Sequence, residues 1–108
     1  MKNIFISILG LAFFMFLDGC SSNPNPQIRI QNAQQNKVNV NIQTSEGIKF
    51  SINDVEPGQT TEYQTASEGN VTATAVIQNE SISFIAKKNT CYTIVISAGK
   101  PPSLRIDQ

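Results

Sequence analysis

The chain has 108 residues, which is enough for one small domain, because typical domains have on the order of 100 to 150 residues. Its formal net charge is zero and its basic residues are dispersed, which excludes a nucleic-acid-binding surface that depends on a clustered basic face. Two cysteines and no histidine argue against catalysis and metal binding, because histidine is the commonest general base and transition-metal ligand.

The N-terminal residues are typical of a segment that directs a chain across a membrane. Lys2 supplies a positive charge, and residues 4–17 are uncharged and apolar. This run is shorter than the ~20 residues that span a bilayer and matches the apolar part of a signal peptide. Residues 17–20, Leu-Asp-Gly-Cys, follow it and resemble a bacterial lipobox. In proteins with that motif, a dedicated signal peptidase cuts before the cysteine, whose thiol receives a lipid.

The lipobox resemblance implies that residues 1–19 are a cleaved signal peptide and that Cys20 carries a lipid anchor. An uncleaved N-terminal anchor and a secreted product cut elsewhere stay open as alternatives. If Cys20 is acylated, Cys91 has no disulfide partner within the chain. Ser21 replaces the aspartate that tends to retain enterobacterial lipoproteins in the inner membrane, so the outer membrane is favoured. The predicted location is therefore the bacterial cell envelope.

A tether and a β domain are predicted to follow the lipid anchor. Residues 20–27 contain Pro24 and Pro26, which fix φ and lack an N–H donor, so a flexible extended tether is expected. Across residues 28–108, short runs alternate apolar and polar residues, as in strands with one buried face. The predicted inward-facing residues are Ile28 and Ile30; Val38, Val40 and Ile42; Ile48, Phe50 and Ile52; Val71, Ala73, Ala75 and Ile77; Ile82 and Phe84; Tyr92, Ile94 and Ile96; and Leu104 and Ile106.

Polar turn sequences separate these runs and set the fold class. They occupy residues 34–37, 44–47, 56–59, 67–70, 78–81 and 87–90. Among them, Pro57 and Gly58 fit the central positions of a type II turn, because proline presets φ and glycine accepts a positive φ. We therefore predict an all-β fold, a single antiparallel β-sandwich of the Ig-like type with seven to eight strands. A small barrel is the second choice.

The order of several short segments resembles a known kind of domain. In chain order these segments are residues 28–33, 38–42, Phe50-Ser51, Gly58, Tyr63, Gly69, 82–84 and 91–96. Together they resemble an uncharacterised family of bacterial secreted β-sandwich domains, over most of residues 28–106. A fainter resemblance connects the chain with the periplasmic accessory proteins of alginate acetylation. The first resemblance implies a fold and a compartment, and it supplies no catalytic residue.

Few residues are candidates for chemistry. Cys91 has no histidine to lower its thiol pKa, so a buried structural cysteine is favoured over a nucleophile. Asp54 and Glu56 offer too few oxygens for calcium, which takes six to eight, and a solvated turn is favoured. Tyr63 and Tyr92 are predicted to pack in the core and to form hydrogen bonds through their hydroxyls at its edge. No catalytic residue, metal site or cofactor is predicted.

The predicted function is a non-enzymatic lipoprotein of the bacterial cell envelope. In this reading, the domain is a protein-interaction or structural module at the membrane surface, and its sheet edges and loops contact an envelope protein. The alternative is an accessory subunit of exopolysaccharide acetylation or export, with an alginate-like polymer. The predicted partners are the membrane, through the lipid on Cys20, and an envelope protein. The ligand-binding residues stay unassigned.

Overall fold

The computed structural model describes residues 24–107, which form eight strands and no helix. In chain order the strands are β1 (Gln27–Asn32), β2 (Val38–Thr44), β3 (Lys49–Val55), β4 (Gln64–Thr65), β5 (Gly69–Ala75), β6 (Glu80–Ala86), β7 (Cys91–Ile96) and β8 (Ser103–Ile106). Within this range, no helix is long and apolar enough to cross a bilayer. The predicted signal peptide, residues 1–19, and the predicted lipidation site, Cys20, lie outside the described residues.

Two four-stranded sheets form the sandwich. Sheet one has the strand order β4-β1-β7-β8, and sheet two has the order β3-β2-β5-β6. This confirms the all-β sandwich and the predicted number of strands, and it excludes the small barrel. One pair of strands departs from the predicted antiparallel arrangement: β1 and β7 run parallel to each other. Their register places Gln27 opposite Cys91 at one end and Asn32 opposite Ile96 at the other. Parallel strands cannot be joined by a hairpin, and the chain between these two strands passes through sheet two.

The core between the sheets uses the alternate positions that the sequence predicts. Val38, Val40 and Ile42 of β2 are at most 2% exposed. From sheet one, the inward residues of β1 and β7 are equally buried. Burying one such aliphatic side chain contributes about 1.5–3 kcal/mol to the free energy of folding. The alternation pattern therefore identifies the residues that hold the two sheets together.

Three residues that were predicted to face inward are exposed instead. Ile48 is 50% exposed, Ile77 is 75% exposed and Ile106 is 64% exposed. Ile48 precedes β3, Ile77 follows the end of β5, and Ile106 is the last residue of the edge strand β8. Alternation identifies the face on which a side chain lies, and it does not identify where the opposite sheet stops covering that face.

One predicted turn and one buried amide fix the connections between strands. Gly58 has a φ of 81°, and the amide of Gln59 donates to the carbonyl of Glu56 at 2.9 Å, so the predicted turn is confirmed. Asn32 is fully buried at the end of β1. Its side-chain amide donates to the carbonyls of Asn36, at 2.8 Å, and Val55, at 2.9 Å. Asn32 therefore ties the end of sheet one to the end of β3 in sheet two.

The start of β5 requires a glycine. Gly69 has a φ of 117°, and a Cβ atom at this position would lie 2.8 Å from the hydroxyl of Ser45. The amide of Ser45 also donates to the carbonyl of Asn70 at 2.8 Å. The positive φ, which residues with a Cβ atom rarely adopt, therefore favours glycine here, and the Ser45 hydroxyl would have to move away from a larger residue.

Candidate functional site

The outer face of sheet one carries a cluster of charged and polar side chains. The register places Arg29 of β1 opposite Thr93 of β7, and Thr93 opposite Arg105 of β8. These three side chains therefore form one row across the sheet. Tyr63, just before β4, and Asp107, just after β8, complete the group. We call these five residues the Arg–Asp cluster.

Thr93 connects the members of the Arg–Asp cluster. Its side chain is fully buried, although it points away from the core. The hydroxyl oxygen accepts hydrogen bonds from Nε of Arg29, at 2.9 Å, and from a terminal amino group of Arg105, at 3.3 Å. The hydroxyl in turn donates to Oδ2 of Asp107. One threonine therefore holds two guanidinium groups and one carboxylate in fixed positions.

The carboxylate of Asp107 accepts hydrogen bonds from two further side chains besides Thr93. Its Oδ2 also accepts from the hydroxyl of Tyr63 at 2.9 Å, and its Oδ1 accepts from Nε of Arg105 at 2.9 Å. Burial by itself raises the pKa of Asp107, but the hydrogen bonds from Thr93, Arg105 and Tyr63 outweigh burial and lower that pKa below its ordinary value. The pKa of Tyr63 is raised, by burial first and then by its hydrogen bond to Asp107.

Two donor groups of Arg29 have no hydrogen-bond acceptor in the described part of the chain. Its guanidinium carbon lies 4.6 Å from the centroid of the Tyr63 ring, and its Nε lies 3.8 Å from Oδ2 of Asp107. Among residues 24–107, no acceptor binds its two terminal amino groups, and a quarter of the side chain is exposed. A guanidinium that is fixed in this way presents two parallel N–H groups, which is the geometry that binds a carboxylate.

The predicted tyrosines have different environments. Tyr92 is buried in the core, its ring centroid lies 4.9 Å from that of Phe84, and its hydroxyl accepts from the amide of Lys87 at 2.9 Å. This confirms the prediction for Tyr92. Tyr63 is only half-buried and lies on the outer face of sheet one, so its predicted place in the core is wrong. Residue 63 lies outside a regular strand, so the parity of neighbouring residues does not determine its face.

The other candidate residues have no common site. Cys91 is fully buried, as a structural cysteine should be. The expectation that Cys91 has no disulfide partner depends on acylation of Cys20, which lies outside the described residues. Asp54 lies near the end of β3 and Glu56 directly after that strand; both are exposed, and the carboxylate of Glu56 is 4.0 Å from the amino group of Lys37. No group of three metal-binding side chains occurs in the described part of the chain.

The outer face of sheet two is polar but contains few charges. It forms a cleft of about 440 Å³, and its lining includes Asn41, Gln43, Lys49, Ser51, Thr72 and Thr74. Its hydroxyls bond in pairs across neighbouring strands, at 2.9 Å between Thr72 and Ser83 and at 2.8 Å between Thr74 and Ser81. These hydroxyl groups therefore satisfy one another locally.

The sequence analysis did not identify Arg29, Thr93, Arg105 or Asp107. The one available signal in the sequence was an arginine at an outward position between the apolar residues Ile28 and Ile30. The other members are separated from it along the chain, by 64 residues in the case of Thr93. Only the pairing of β1 with β7 and of β7 with β8 brings them together.

Fold and surface together define an all-β sandwich with one charged outer face. No protein-family model matches the chain, and a search of curated proteins found no match. Among solved structures, the N-terminal domain of AlgF from P. aeruginosa has a similar fold, with a TM-score of 0.63 and 22% sequence identity. The similarity covers 80% of this chain and 96% of that domain. At this level of identity it shows the sandwich fold alone.

Proposed function

We propose that this chain is a non-enzymatic accessory module of the bacterial cell envelope that binds another envelope component through the Arg–Asp cluster. The supporting observation is the geometry of the cluster, in which Thr93 and Asp107 hold the guanidinium groups of Arg29 and Arg105 through hydrogen bonds. The lowered pKa of Asp107 makes it a weak base, and the raised pKa of Tyr63 keeps its hydroxyl protonated. Proton transfer needs groups whose pKa lies near the working pH, whereas binding needs donors with fixed positions and charges.

The chemistry of the Arg–Asp cluster favours a partner that carries a carboxylate. The cluster holds two guanidinium groups and one carboxylate, so its positive charge is in excess. The terminal amino groups of Arg29 have no acceptor among residues 24–107, and the ring of Tyr63 lies against one side of the guanidinium. An acidic segment of an envelope protein meets these requirements, and this is the partner that we propose.

A second candidate function is an accessory subunit of exopolysaccharide acetylation or export. It is favoured by the similarity of the fold to the N-terminal domain of AlgF and by the sequence resemblance to the periplasmic accessory proteins of alginate acetylation. A polyuronate carries a carboxylate on each sugar unit, so it suits the same arginine. In this case the module contacts the polymer, and a different protein performs the chemistry.

We further propose that Cys20 carries a lipid that anchors the module to the envelope, with the outer membrane favoured by Ser21. A sulfur in a thioether cannot also form a disulfide, so lipidation and a disulfide that uses Cys20 exclude each other. Cys20→Ser should abolish fatty-acid labelling and leave a larger, unprocessed precursor. Unchanged labelling, or a mature chain in which the Cys20 sulfur is found in a disulfide with Cys91, would contradict the proposal.

Site-specific crosslinking in intact cells tests the function. A photo-crosslinking residue replaces Gln31, which accepts a hydrogen bond from Arg105 at 3.2 Å, and in a matched control it replaces Gln43 on the outer face of sheet two. The position of Gln31 should yield a defined adduct that Arg29→Gln removes, and the position of Gln43 should not. A protein adduct supports the first candidate, and a polysaccharide adduct supports the second. The same adducts at both positions would refute both.

A further inference from the structure

We infer that two copies of this chain pair through β6 in antiparallel orientation, so that their second sheets join into one continuous sheet. The inference concerns one edge of sheet two and does not depend on the Arg–Asp cluster. β6 is a full-length edge strand of seven residues, paired with β5 from Gly69 opposite Ala86 to Ala75 opposite Glu80 without a register shift. Within residues 24–107, no strand pairs with its other side.

β6 lacks the features that protect an edge strand from pairing. Such strands are usually short, charged, bulged or interrupted by proline. Residues 81–86, Ser-Ile-Ser-Phe-Ile-Ala, contain no charge and no proline. The opposite edge of the same sheet, β3, begins with Lys49, contains Asp54 at a φ of 57° and pairs with β2 through a register shift. The edge strands of sheet one, β4 and β8, have only two and four residues.

The side chains of β6 complement those of a second copy. Opposite residues in antiparallel strands face the same side, so pairing centred on Ser83 places Ile82 opposite Phe84 of the second copy on the core-facing side. Both side chains are only partly buried where they pack against the core. Because the pair is two-fold symmetric, this contact occurs twice: Ile82 of each copy packs against Phe84 of the other. The second copy would therefore cover the partly buried apolar side chains at this edge of the core.

The charges that flank β6 select the antiparallel orientation. Glu80 begins the strand, and Lys87 and Lys88 follow its end. All three are exposed. In the antiparallel pair, each glutamate lies near the two lysines of the second copy, whereas a parallel pair would place like charges together. This complementarity argues for a second copy of the chain as the occupant of the edge.

Charge substitutions at the centre of the pair test this inference. Ser83 is exposed and would face Ser83 of the second copy, so Ser83→Lys or Ser83→Glu places like charges directly opposite each other. Ser51→Lys is the matched control, because Ser51 is an exposed serine on the other edge strand of the sheet. Ser83 bonds to Thr72 at 2.9 Å and Ser51 bonds to Asn41 at 2.7 Å, so both variants lose one similar hydrogen bond.

The readout is co-purification of two differently tagged full-length chains that are expressed together and extracted in mild detergent. Wild-type copies and Ser51→Lys copies should recover each other. Recovery should fall at least about tenfold for Ser83→Lys alone and for Ser83→Glu alone, which corresponds to about 1.4 kcal/mol. Recovery should return when a Ser83→Lys chain is expressed together with a Ser83→Glu chain, because opposite charges then face each other. Thermal melting should show that each variant folds. Absence of wild-type co-purification, retention by Ser83→Lys, or failure of the mixed pair would overturn the inference. Crosslinking at Gln31 probes the outer face of sheet one, whereas these variants probe an edge of sheet two. The two experiments therefore test the proposed function and the pairing of copies independently.

Discussion

On the outer face of sheet two, hydroxyls bond in pairs between strands that are adjacent along the chain, as Thr74 does with Ser81, seven residues away. On the outer face of sheet one, Thr93 bonds to Arg29, which is 64 residues away, and Tyr63 bonds to Asp107, which is 44 residues away. The hydrogen bonds on sheet two can form in a hairpin of two consecutive strands. Those on sheet one can form only when the complete domain has folded. Both faces are polar, but only the first sheet holds charged groups in a fixed arrangement with donors left for a partner.

The largest expected effect comes from the core that both faces share. Val40 is fully buried, and Val40→Asp places an unpaired carboxylate between the sheets. We expect a loss of about 3–5 kcal/mol, enough to unfold a domain of this size. The neighbouring outward variant, Asn41→Asp, should change the free energy of unfolding by about 1 kcal/mol or less. Circular dichroism melts of the two variants measure the difference, and equal melting temperatures would show that the faces are assigned wrongly.

The second prediction compares one threonine from each outer face. Thr93→Val removes a buried hydroxyl that accepts from two arginines and donates to Asp107, so we expect a loss of about 2–3 kcal/mol. Thr74→Val removes a hydroxyl whose partner, Ser81, is exposed, so we expect a loss of about 0.5 kcal/mol or less. Urea unfolding provides both values. If the two variants lose equal stability, the distinction between the two faces is not valid.

The third prediction uses pH to isolate the carboxylate of the Arg–Asp cluster. At neutral pH, Asp107→Asn should cost about 1–2 kcal/mol, because it weakens charge-assisted hydrogen bonds. The folded-state pKa of Asp107 is lowered, so its contribution is complete above the ordinary value of 3.8 and is lost as the pH falls through the folded pKa. The stability difference between wild type and Asp107→Asn should therefore shrink below about pH 4.

A control for the pH experiment comes from the other face. The difference between wild type and Thr74→Val involves no titrating group, so it should stay constant over the same pH range. Unfolding midpoints from pH 7 to pH 2 provide both series. A gap between wild type and Asp107→Asn that widens as the pH falls would contradict the direction of the pKa shift.

The smallest effect is expected at the edge of the Arg–Asp cluster. Tyr63→Phe removes the hydrogen bond to Asp107 and keeps the ring beneath the guanidinium of Arg29. We expect a loss of about 0.5–1 kcal/mol, together with a rise in the pKa of Asp107, which loses one donor. NMR titration of the carboxyl carbon measures the pKa. An unchanged value would mean that the Tyr63 hydroxyl does not contribute to holding the carboxylate ionised.

Much of the core could be predicted from the sequence, because alternation has a local cause. Val40 and Ile42 are buried since successive side chains of a strand point to opposite faces. Ile77 was predicted wrongly because β5 ends at Ala75, and that end depends on the pairing with β6. β4 escaped prediction because its two residues, Gln64 and Thr65, are polar and exposed. Where a strand ends, and which polar strand pairs with an edge, depends on neighbours that are distant in sequence.

What the sequence determined by itself was the set of faces: which side chains of each strand are apolar, where turns interrupt the strands, and that the result is a β-sandwich. These properties follow from backbone geometry and residue type within a few neighbouring positions. The tertiary structure alone decided that Arg29, Thr93 and Arg105 share a row, because this depends on the parallel pairing of β1 with β7 and on the antiparallel pairing of β7 with β8. It also decided that β6 lies at an edge. Strand order is fixed by packing across the whole domain, so no local pattern encodes it.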